Sequence, residues 1–403
     1  MRKPLDDIRV LEWGIFHAGP GATAILADMG AEVIKIEQPG TGDPVRKAKG
    51  YKDVDFNLGG GANLFNLGAN RNKKSITIDL TKEEGRQIVY NLAIKSDVFF
   101  TNVRHRAVVK NKMDYRYLVK ANPSIIYASV TGFGKQGPGK DAGAFDYQGQ
   151  GMSGMMYSFG EPQMSPLLGQ FGIVDQATAV MASYQIVTAL LMRERLGVGQ
   201  EVDVSILGTA SYLLYFNNLV ASIKGRNMPR HEQISADPLR NYYCCQDGKW
   251  LIQTQPPGEE RWKKECSVLG HPELADDPRY DSREKRMERS IELVPIFNKA
   301  FTTKPRDEWL RLFHEADLIG APVNTCVEAV HDPHLLENDY IIDFDHPDLG
   351  QIGIPCFPIH FSEAEVRRDL VAPKLGEQTE EVLREIGGYS NEEIAQFKEG
   401  KVL

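Results

Sequence analysis

Apolar and polar positions alternate along the first 130 residues in a way that predicts repeated strand–helix units. Helical periodicity appears in GPGATAILADMG (19–30) and again after Thr81, where Thr81 and Glu84 have the spacing of a capping box. Strands that alternate with helices in this way predict a parallel, doubly wound sheet that binds ligands at the carboxyl ends of its strands. The predicted strands are short apolar runs: IRVLEW (8–13), AEVIKIE (31–37), SITIDL (75–80), DVFFTN (97–102) and SIIYASVTGFG (124–134).

The pattern changes in the second half of the chain. A long helical pattern opens at Asp175 and ends near Gly197 and Gly199, and EVDVSIL (201–207) follows as a strand. Beyond residue 226 we predict a hairpin that turns at Asp247–Gly248 and then amphipathic helices. The predicted α/β fold therefore has a Rossmann-like large domain of residues 1–225 and 330–403 and a smaller α+β domain of residues 226–329.

Composition narrows the class of protein. The 403 residues carry a formal net charge of −8, which argues against general binding to nucleic acid or to anionic membranes. The N-terminus lacks the apolar stretch of a signal peptide, and the five cysteines form no CxxC pair. The nine histidines form no HExxH motif. We therefore expect a cytoplasmic protein with reduced thiols, no metal, no nucleic-acid partner and no membrane segment.

The turn after the first strand offers one candidate chemistry. Gly19-Pro20-Gly21-Ala22-Thr23-Ala24 matches a loose dinucleotide fingerprint, and Glu37 stands where a ribose-binding acid would lie. An NAD-dependent oxidoreductase is therefore one alternative. Pro20 removes an N–H group that a pyrophosphate would need, and no set of hydride-transfer residues accompanies the motif.

Two basic clusters follow predicted strand ends. Arg71, Lys73 and Lys74 precede the third strand, and a second group of Arg104, Arg106 and Lys110 follows the fourth. Basic side chains at this edge of a sheet suit a ligand with several phosphates. The alternative for each of them is an ordinary solvated surface charge.

Two acids bracket a segment rich in glycine and methionine. Asp146 lies in AFDYQGQGMSG, and Asp175 opens the long helical pattern. The ordinary interpretation of Asp175 is a helix N-cap, and the alternative is a nucleophile that the helix-start N–H groups orient and keep ionised. The methionines between the two acids would form an apolar wall, and GGG at 59–61 is a candidate for a surface loop or lid.

Taken together, these segments resemble the class III coenzyme A transferases, the family of formyl-CoA transferase and carnitine CoA-transferase. The resemblance implies an interlocked dimer, built as a homodimer or as a heteromer with a related subunit. It spans nearly the whole chain and is carried by LEWGIFHAGPGATAILADMGAEVIKIEQPGTGDPVR (11–46), NRNKKSITIDL (70–80), SVTGFGKQGP (129–138), AFDYQGQGMSG (144–154), DQATAVMASYQIVTALLMRERLGVGQEVDVSI (175–206), GIPCFPIHFS and APKLGEQTEEVLREIGGYSNEEI.

The resemblance also implies an activity, the transfer of CoA from an acyl-CoA donor to a free carboxylic acid. CoA would be a substrate rather than a tightly bound cofactor. Asp175 matches the family's nucleophile, which forms an aspartyl mixed anhydride and then an aspartyl-CoA thioester, and Asp146 matches an acid near the reacting centre. The residues that match CoA contacts are Phe16, His17, Ala18, Lys73, Asn102, Val103, Arg104 and Lys110.

The chain also departs from the family pattern. Gln38 and Lys110 each replace an Arg of formyl-CoA transferase, and its tetraglycine loop has no counterpart near 235–255, which implies a different lid and substrate pocket. Racemases of the same fold use a His immediately before the acid that Asp146 matches, and Phe145 at this position cannot move a proton. A racemase and a silent partner subunit are thus weaker alternatives.

The resemblance extends to a branch of the family. TNVRHRAVVKNKMDY (101–115) and GFGKQGPGKDAGAFDY (132–147) are closest to transferases for aryl or branched-chain acids, such as phenyllactate, 2-hydroxyisocaproate or benzylsuccinate. We therefore expect a bulky apolar acyl group, for which the methionine wall is the candidate lining.

Overall fold

The computed structural model describes residues 2–59 and 62–403, so two of the three glycines of the predicted lid, Gly60 and Gly61, lie outside the described residues. The strands are β1 Arg9–Trp13, β2 Glu32–Glu37, β3 Gly50–Tyr51, β4 Val54–Asp55, β5 Asn57–Gly59, β6 Ala62–Asn63, β7 Lys74–Thr77, β8 Val98–Thr101, β9 Ile126–Thr131, β10 Gln200–Ser205, β11 Tyr242–Cys244, β12 Trp250–Gln253, β13 Gly320–Val323, β14 Ile341–His346 and β15 Gly350–Pro355.

Most helices lie between these strands, and a single π-helical turn, Leu383–Gly387, precedes the last helix. The helices are α1 Ala18–Asp28, α2 Leu64–Asn70, α3 Glu83–Ile94, α4 His105–Lys110, α5 Tyr115–Ala121, α6 Asp146–Met152, α7 Met155–Ser158, α8 Ile173–Leu196, α9 Ile206–Leu213, α10 Tyr215–Lys224, α11 Glu259–Leu269, α12 Arg283–Glu288, α13 Ser290–Phe301, α14 Arg306–Glu315, α15 Cys326–Ala329, α16 Pro333–Glu337, α17 Thr379–Val382 and α18 Asn391–Glu399.

A parallel six-stranded sheet lies at the centre of the larger of two compact units. Its order is β10-β9-β8-β1-β2-β7, and every neighbouring pair is parallel. The chain first adds strands on one side of β1 and then returns to the other side, beginning with β8. Such a reversal opens a crevice at the carboxyl ends of β1 and β8, where doubly wound folds bind their ligands. The predicted parallel α/β sheet is therefore confirmed.

Apolar side chains cover both faces of this sheet. Neighbouring strand residues point to opposite faces, so that Val10 and Phe100 join one cluster, whereas Leu11 and Phe99 join the other. The first cluster is completed by α1 and α8, and the second by α3 and the C-terminal helices. Helices α1 and α8 thus pack on the same face and bring their first turns to the same edge of the sheet.

The start of α3 differs from the prediction. The helix begins at Glu83 with Lys82 as its N-cap, and no side chain caps it. The N–H group and the hydroxyl of Thr81 instead donate to Asp79 Oδ1, at 3.0 and 2.7 Å. The predicted capping box was wrong because a tight side-chain turn at Asp79 competes for the same groups.

The larger unit comprises residues up to Met156, Leu168–Gly225 and Leu336–Leu403, and the smaller unit comprises Tyr157–Leu167 and Arg226–Leu335. In the smaller unit β11, β12 and β13 form an antiparallel sheet, and Gly248 supplies the turn of the predicted hairpin with a φ of +75°. Its core is dominated by buried aromatic side chains: Tyr243, Trp262, Phe297, Phe301, Trp309 and Phe313.

Across residues 2–59 and 62–403, no single helix has the length and apolar character needed to cross a membrane. The consecutive helices α9 and α10 meet those two criteria only as a pair, and they are bent by 75°.

Candidate active site

The turn between β1 and α1 lies at the crevice of the sheet and is held by side chains from neighbouring segments. Both backbone groups of Ile15 bind the Asn102 amide, at 2.8 Å each, and the N–H group of Phe16 donates to Asp43 at 3.1 Å. Phe16 has a φ of +63°, a left-handed conformation that costs free energy for a bulky residue. These contacts therefore hold a strained turn in place.

Asp146 caps α8, the helix that carries Asp175. The helix begins at Ile173, after Gly172 with a φ of +79°. Asp146 Oδ1 accepts the N–H groups of Val174 and Asp175 at 2.7 and 3.0 Å, and its Oδ2 accepts from Gln150 at 2.5 Å. One buried carboxylate from another helix thus satisfies the N–H groups that a local cap would otherwise bind.

Asp175 is therefore not the N-cap, because it is the third residue of α8. Among the described residues its buried Oδ1 has no hydrogen-bond partner. Burial, together with the negative charge of Asp146, raises the pKa of Asp175 to about 7. The expectation that helix-start N–H groups keep Asp175 ionised was wrong, since Asp146 already occupies those groups.

His17 contacts the residue that follows Asp175. Its Nε2 is 2.7 Å from Oε1 of Gln176, the residue after Asp175, and burial lowers the pKa of the imidazole. Neighbouring Ala18 is buried. The structure thus brings His17 to the predicted nucleophile through Gln176, a contact that no sequence motif indicated.

Four rings, which we call the aromatic group, pack together and reach the His17 ring through Phe65: Tyr51, Phe65, Tyr147 and Phe171. Tyr51 stacks on Phe171 at 5.3 Å between ring centroids, and its hydroxyl accepts from that of Tyr147 at 3.2 Å. Phe65 contacts Phe171 at 5.9 Å and the His17 ring at 5.7 Å. The sequence interpretation missed this group, although Tyr147 adjoins Asp146 and Phe171 lies four residues before Asp175.

Phe16 and Phe145 form a separate edge-to-face pair at 5.4 Å. The expected methionine wall does not form as a unit, because Met155 lies in the core and Met152 is 65% exposed. Aromatic rings, rather than thioethers, therefore line this part of the crevice.

The side chains of the first basic cluster, Arg71, Lys73 and Lys74, form ion pairs with acids of the same fold. Arg71 binds Asp28 at 2.6 Å, and Lys74 binds Glu32 at 2.9 Å. Lys73 is fully buried and donates to Glu12, Pro20 O and Ala69 O at 2.7–2.8 Å. Lys73 and Asn102, which match CoA contacts of the family, are therefore not exposed here. Both side chains form hydrogen bonds within the fold.

The second basic cluster lies at a cavity of about 740 Å³ at the carboxyl ends of β8 and β9. Val103, Arg106 and Lys110 line it together with Lys140, and within the described part of the chain none of these three cations has a carboxylate partner. Arg104 lies outside the lining, exposed and against Gly143.

The dinucleotide site suggested by the glycine motif is not formed. All residues of α1 are buried, and the carbonyl of Pro20 accepts from Lys73. Glu37, the candidate ribose ligand, is held by Arg46 and Ser75 at 2.6 Å each. In residues 2–59 and 62–403 there is also no group of three or more His, Cys, Asp or Glu side chains placed to hold a metal ion.

Comparison with known proteins agrees with the resemblance in the sequence. The chain is 30% identical to cinnamoyl-CoA:phenyllactate CoA-transferase of Clostridium sporogenes, over 98% of this chain and 96% of that protein. It is 33% identical to succinate–glutarate CoA-transferase of Agrobacterium fabrum, over 96% of each chain. A crystal structure of a CaiB/BaiF family protein from Brucella suis matches with a TM-score of 0.84 and 29% identity, over 96% of this chain and 100% of that one.

A family model, CoA-transferase family III, matches residues 5–379. With its parallel sheet, its crevice and its carboxylate at the first turn of α8, the chain belongs to CoA-transferase family III, whose enzymes move CoA between acyl-CoA thioesters and carboxylic acids.

Proposed function

We propose that Asp175 is the covalent nucleophile of this transferase. The observation that carries the proposal is a half-buried carboxylate at the crevice of the sheet, with a pKa of about 7 and a buried Oδ1 that has no hydrogen-bond partner among the described residues. A carboxylate that receives few hydrogen bonds keeps its basicity, and therefore its strength as a nucleophile.

The reaction proceeds in four exchanges at carbonyl carbons. An Asp175 oxygen attacks the donor thioester, the C–S bond breaks, and an aspartyl mixed anhydride and CoA thiolate result. The thiolate attacks the aspartyl carbonyl and releases the first acid as its carboxylate, leaving an aspartyl-CoA thioester. The acceptor carboxylate attacks that thioester, the C–S bond breaks, and a second anhydride and CoA thiolate result. The thiolate then attacks its acyl carbonyl, which gives the new acyl-CoA and returns the Asp175 carboxylate.

Asp146 acts in this scheme by holding α8 rather than by moving protons. Its two oxygens accept three hydrogen bonds from Val174, Asp175 and Gln150. A racemase would need a titratable group at Phe145, whose ring instead packs against Phe16. The transferase chemistry needs no such base, because every step exchanges a carboxylate or a thiolate.

The basic cavity is the proposed site for the phosphates of CoA. Arg106, Lys110 and Lys140 supply three cations that have no carboxylate partner among the described residues, and such cations form strong charge-assisted hydrogen bonds with phosphate oxygens. The cavity opens at the carboxyl end of β8, next to the strand-end segment that holds the turn before α1.

We further propose that the acyl group is bulky and apolar, either aryl or branched. The two relatives named above act on different acids, phenyllactate and glutarate, so their names do not select one class. The aromatic group favours the apolar class, because its packed rings, one of which contacts His17, offer apolar surface to an acyl group.

Finally, we propose that two copies of the chain, or this chain and a related subunit, associate through α9 and α10. Helix α10 has no buried residue in the single chain, and Phe216 and Ile223 are 73% and 66% exposed. A contiguous exposed apolar face of this kind is typical of a protein interface.

Replacing Asp175 with Ala should lower transferase activity by at least about a thousandfold, because the nucleophile is lost. In the unchanged protein, hydroxylamine added with acyl-CoA should leave a hydroxamate on Asp175 that peptide mass spectrometry locates. Glu194→Gln, on the exposed far end of α8, is the control and should retain activity. Near-normal transfer by Asp175→Ala would exclude the covalent scheme.

The double variant Arg106→Ala/Lys110→Ala should raise KM for acyl-CoA by about tenfold or more and leave kcat nearly unchanged, since phosphate contacts act on binding. Steady-state kinetics with a fixed acceptor acid measures both. Arg384→Ala removes an exposed cation that pairs only with surface groups and serves as the control. An unchanged KM in the double variant would place the phosphates elsewhere.

Phe171→Ala should lower kcat/KM for an aryl acid such as phenyllactate by about tenfold or more, and much less for acetate, because an apolar wall is removed. A mass-spectrometric assay of acceptor acids measures the ratio. Phe361→Ala removes a ring of nearly equal exposure, 42% against 41%, and should not change it. A preference of the unchanged protein for glutarate over aryl acids would contradict the proposed acyl class.

Phe216→Glu should shift the sedimenting species toward the single-chain mass of 45.1 kDa, because a charge in the apolar face opposes association. Ile94→Glu places the same charge at an exposed apolar residue of α3 and should leave the assembly intact. If the unchanged chain sediments alone at micromolar concentration, the homodimer is excluded and a different subunit is required.

A further inference from the structure

Beneath the turn before α1 lies a group of buried charges that the transfer chemistry does not use. We call it the buried ion cluster, and its members are Glu12, Lys35, Asp43 and Lys73. All four side chains are buried, and Glu12 on β1 stands opposite Lys35 on β2 in the sheet register. Burying four charges costs free energy unless each is paired and hydrogen-bonded, so we asked which part of the structure depends on this cluster.

Each charge in the cluster is compensated. Lys35 Nζ donates to Glu12 Oε1 at 2.7 Å and to the Gly14 carbonyl at 2.9 Å, and it forms an ion pair with Asp43 Oδ2 at 2.9 Å. The second Glu12 oxygen accepts from Lys73 at 2.7 Å. Although burial opposes ionisation, the two lysines lower the pKa of Glu12 to about 2. The cluster thus contains two carboxyl groups and two lysines, and burial lowers the pKa of one of these lysines, Lys73, to about 7.

The cluster contacts two backbone groups of the turn and one of the first turn of α1. Lys35 binds the carbonyl of Gly14, Asp43 Oδ1 accepts the N–H group of Phe16 at 3.1 Å, and Lys73 binds the carbonyl of Pro20 at 2.8 Å. Only the Asp43 contact reaches the residue with the left-handed conformation. Asp43 is therefore the member that holds the strained point, while Lys35 fixes the orientation of its carboxylate.

We infer that Asp43 is a positioning residue for the transfer reaction, acting through Phe16 and His17. The strained turn sets the direction of the His17 ring, which reaches Gln176 beside Asp175. If Asp43 is lost, Phe16 can relax to an ordinary conformation, and the His17–Gln176 contact is lost with it. The effect on catalysis rests on Asp175 being the nucleophile proposed above, whereas the effect on the turn does not.

The chain offers a matched control for this inference. Asp43 accepts the N–H groups of Phe16 and Val45, each at 3.1 Å, and pairs with Lys35. Asp97 likewise accepts a backbone N–H group, from Arg9 at 2.8 Å, and pairs with one cation, Arg193, at 2.7 Å. It lies before β8, at the opposite edge of the same sheet, and does not contact the turn. Asp43→Ala and Asp97→Ala thus remove the same kinds of contact at different places.

The experiment combines two measurements on purified, full-length variants that retain folded circular dichroism spectra. Diethyl pyrocarbonate modification of His17, followed by peptide mass spectrometry, should be at least about fivefold faster in Asp43→Ala than in the unchanged protein, and unchanged in Asp97→Ala. In Asp43→Ala, kcat should fall by about tenfold or more with a smaller change in KM for acyl-CoA. Asp97→Ala should stay within about twofold in both constants.

The outcomes separate this inference from the proposed function. Equal His17 modification rates in the two variants would overturn the inference, whatever the activity. Faster modification with unchanged kcat would also overturn it, because the turn would then not matter to transfer. If the unchanged protein forms no hydroxamate at Asp175 while Asp43→Ala still exposes His17, the nucleophile proposal fails and the control of the turn by Asp43 stands. If Asp43→Ala does not fold, Asp43→Leu, which fills similar space but has no acceptor for Phe16, replaces it in both measurements.

Discussion

The hydrogen bonds from the first turn of α8 to Asp146 decide the character of the site. Two N–H groups at a helix start would ordinarily hold a nearby carboxylate in its ionised form and lower its pKa. Because Asp146 accepts both of them, the half-buried Asp175 has a negative neighbour and a buried Oδ1 without a hydrogen-bond partner in residues 2–59 and 62–403. The pKa of Asp175 rises as a result, and this carboxylate is available for bond formation instead of helix capping.

A second constraint is the set of polar contacts that hold the turn between β1 and α1. The crevice at the reversal of strand order brings the ends of β1 and β8 together, and Asn102 from one strand end binds Ile15 at the other. The buried ion cluster fixes the remaining backbone groups of the same turn. Polar groups that cost free energy to bury thus set the geometry of a few residues, a use for which apolar packing alone is less specific.

Much of the fold was predictable from local pattern. The strands of the central sheet and the positions of α1 and α8 follow from apolar runs and helical periodicity, because burial on both faces requires such runs. The predictions that were wrong concern helix starts, where several polar groups compete for the same hydrogen bonds. Thr81 bonds to Asp79 instead of capping α3, and Asp175 is the third residue of a helix that begins at Ile173. Each depended on which of several possible partners lay closer in space.

By itself, the sequence determined the α/β class, the family resemblance and the identity of the two acids, because these reside in residue order and spacing. Tertiary structure alone decided which charges remain available to a ligand. Lys73 and Arg106 look alike in sequence, yet one is buried against Glu12 and the other lines an open cavity. The tertiary structure also gathered Tyr51, Phe65, Tyr147 and Phe171 from distant segments. Pairing and burial depend on distances between residues far apart in the chain, which no local pattern records.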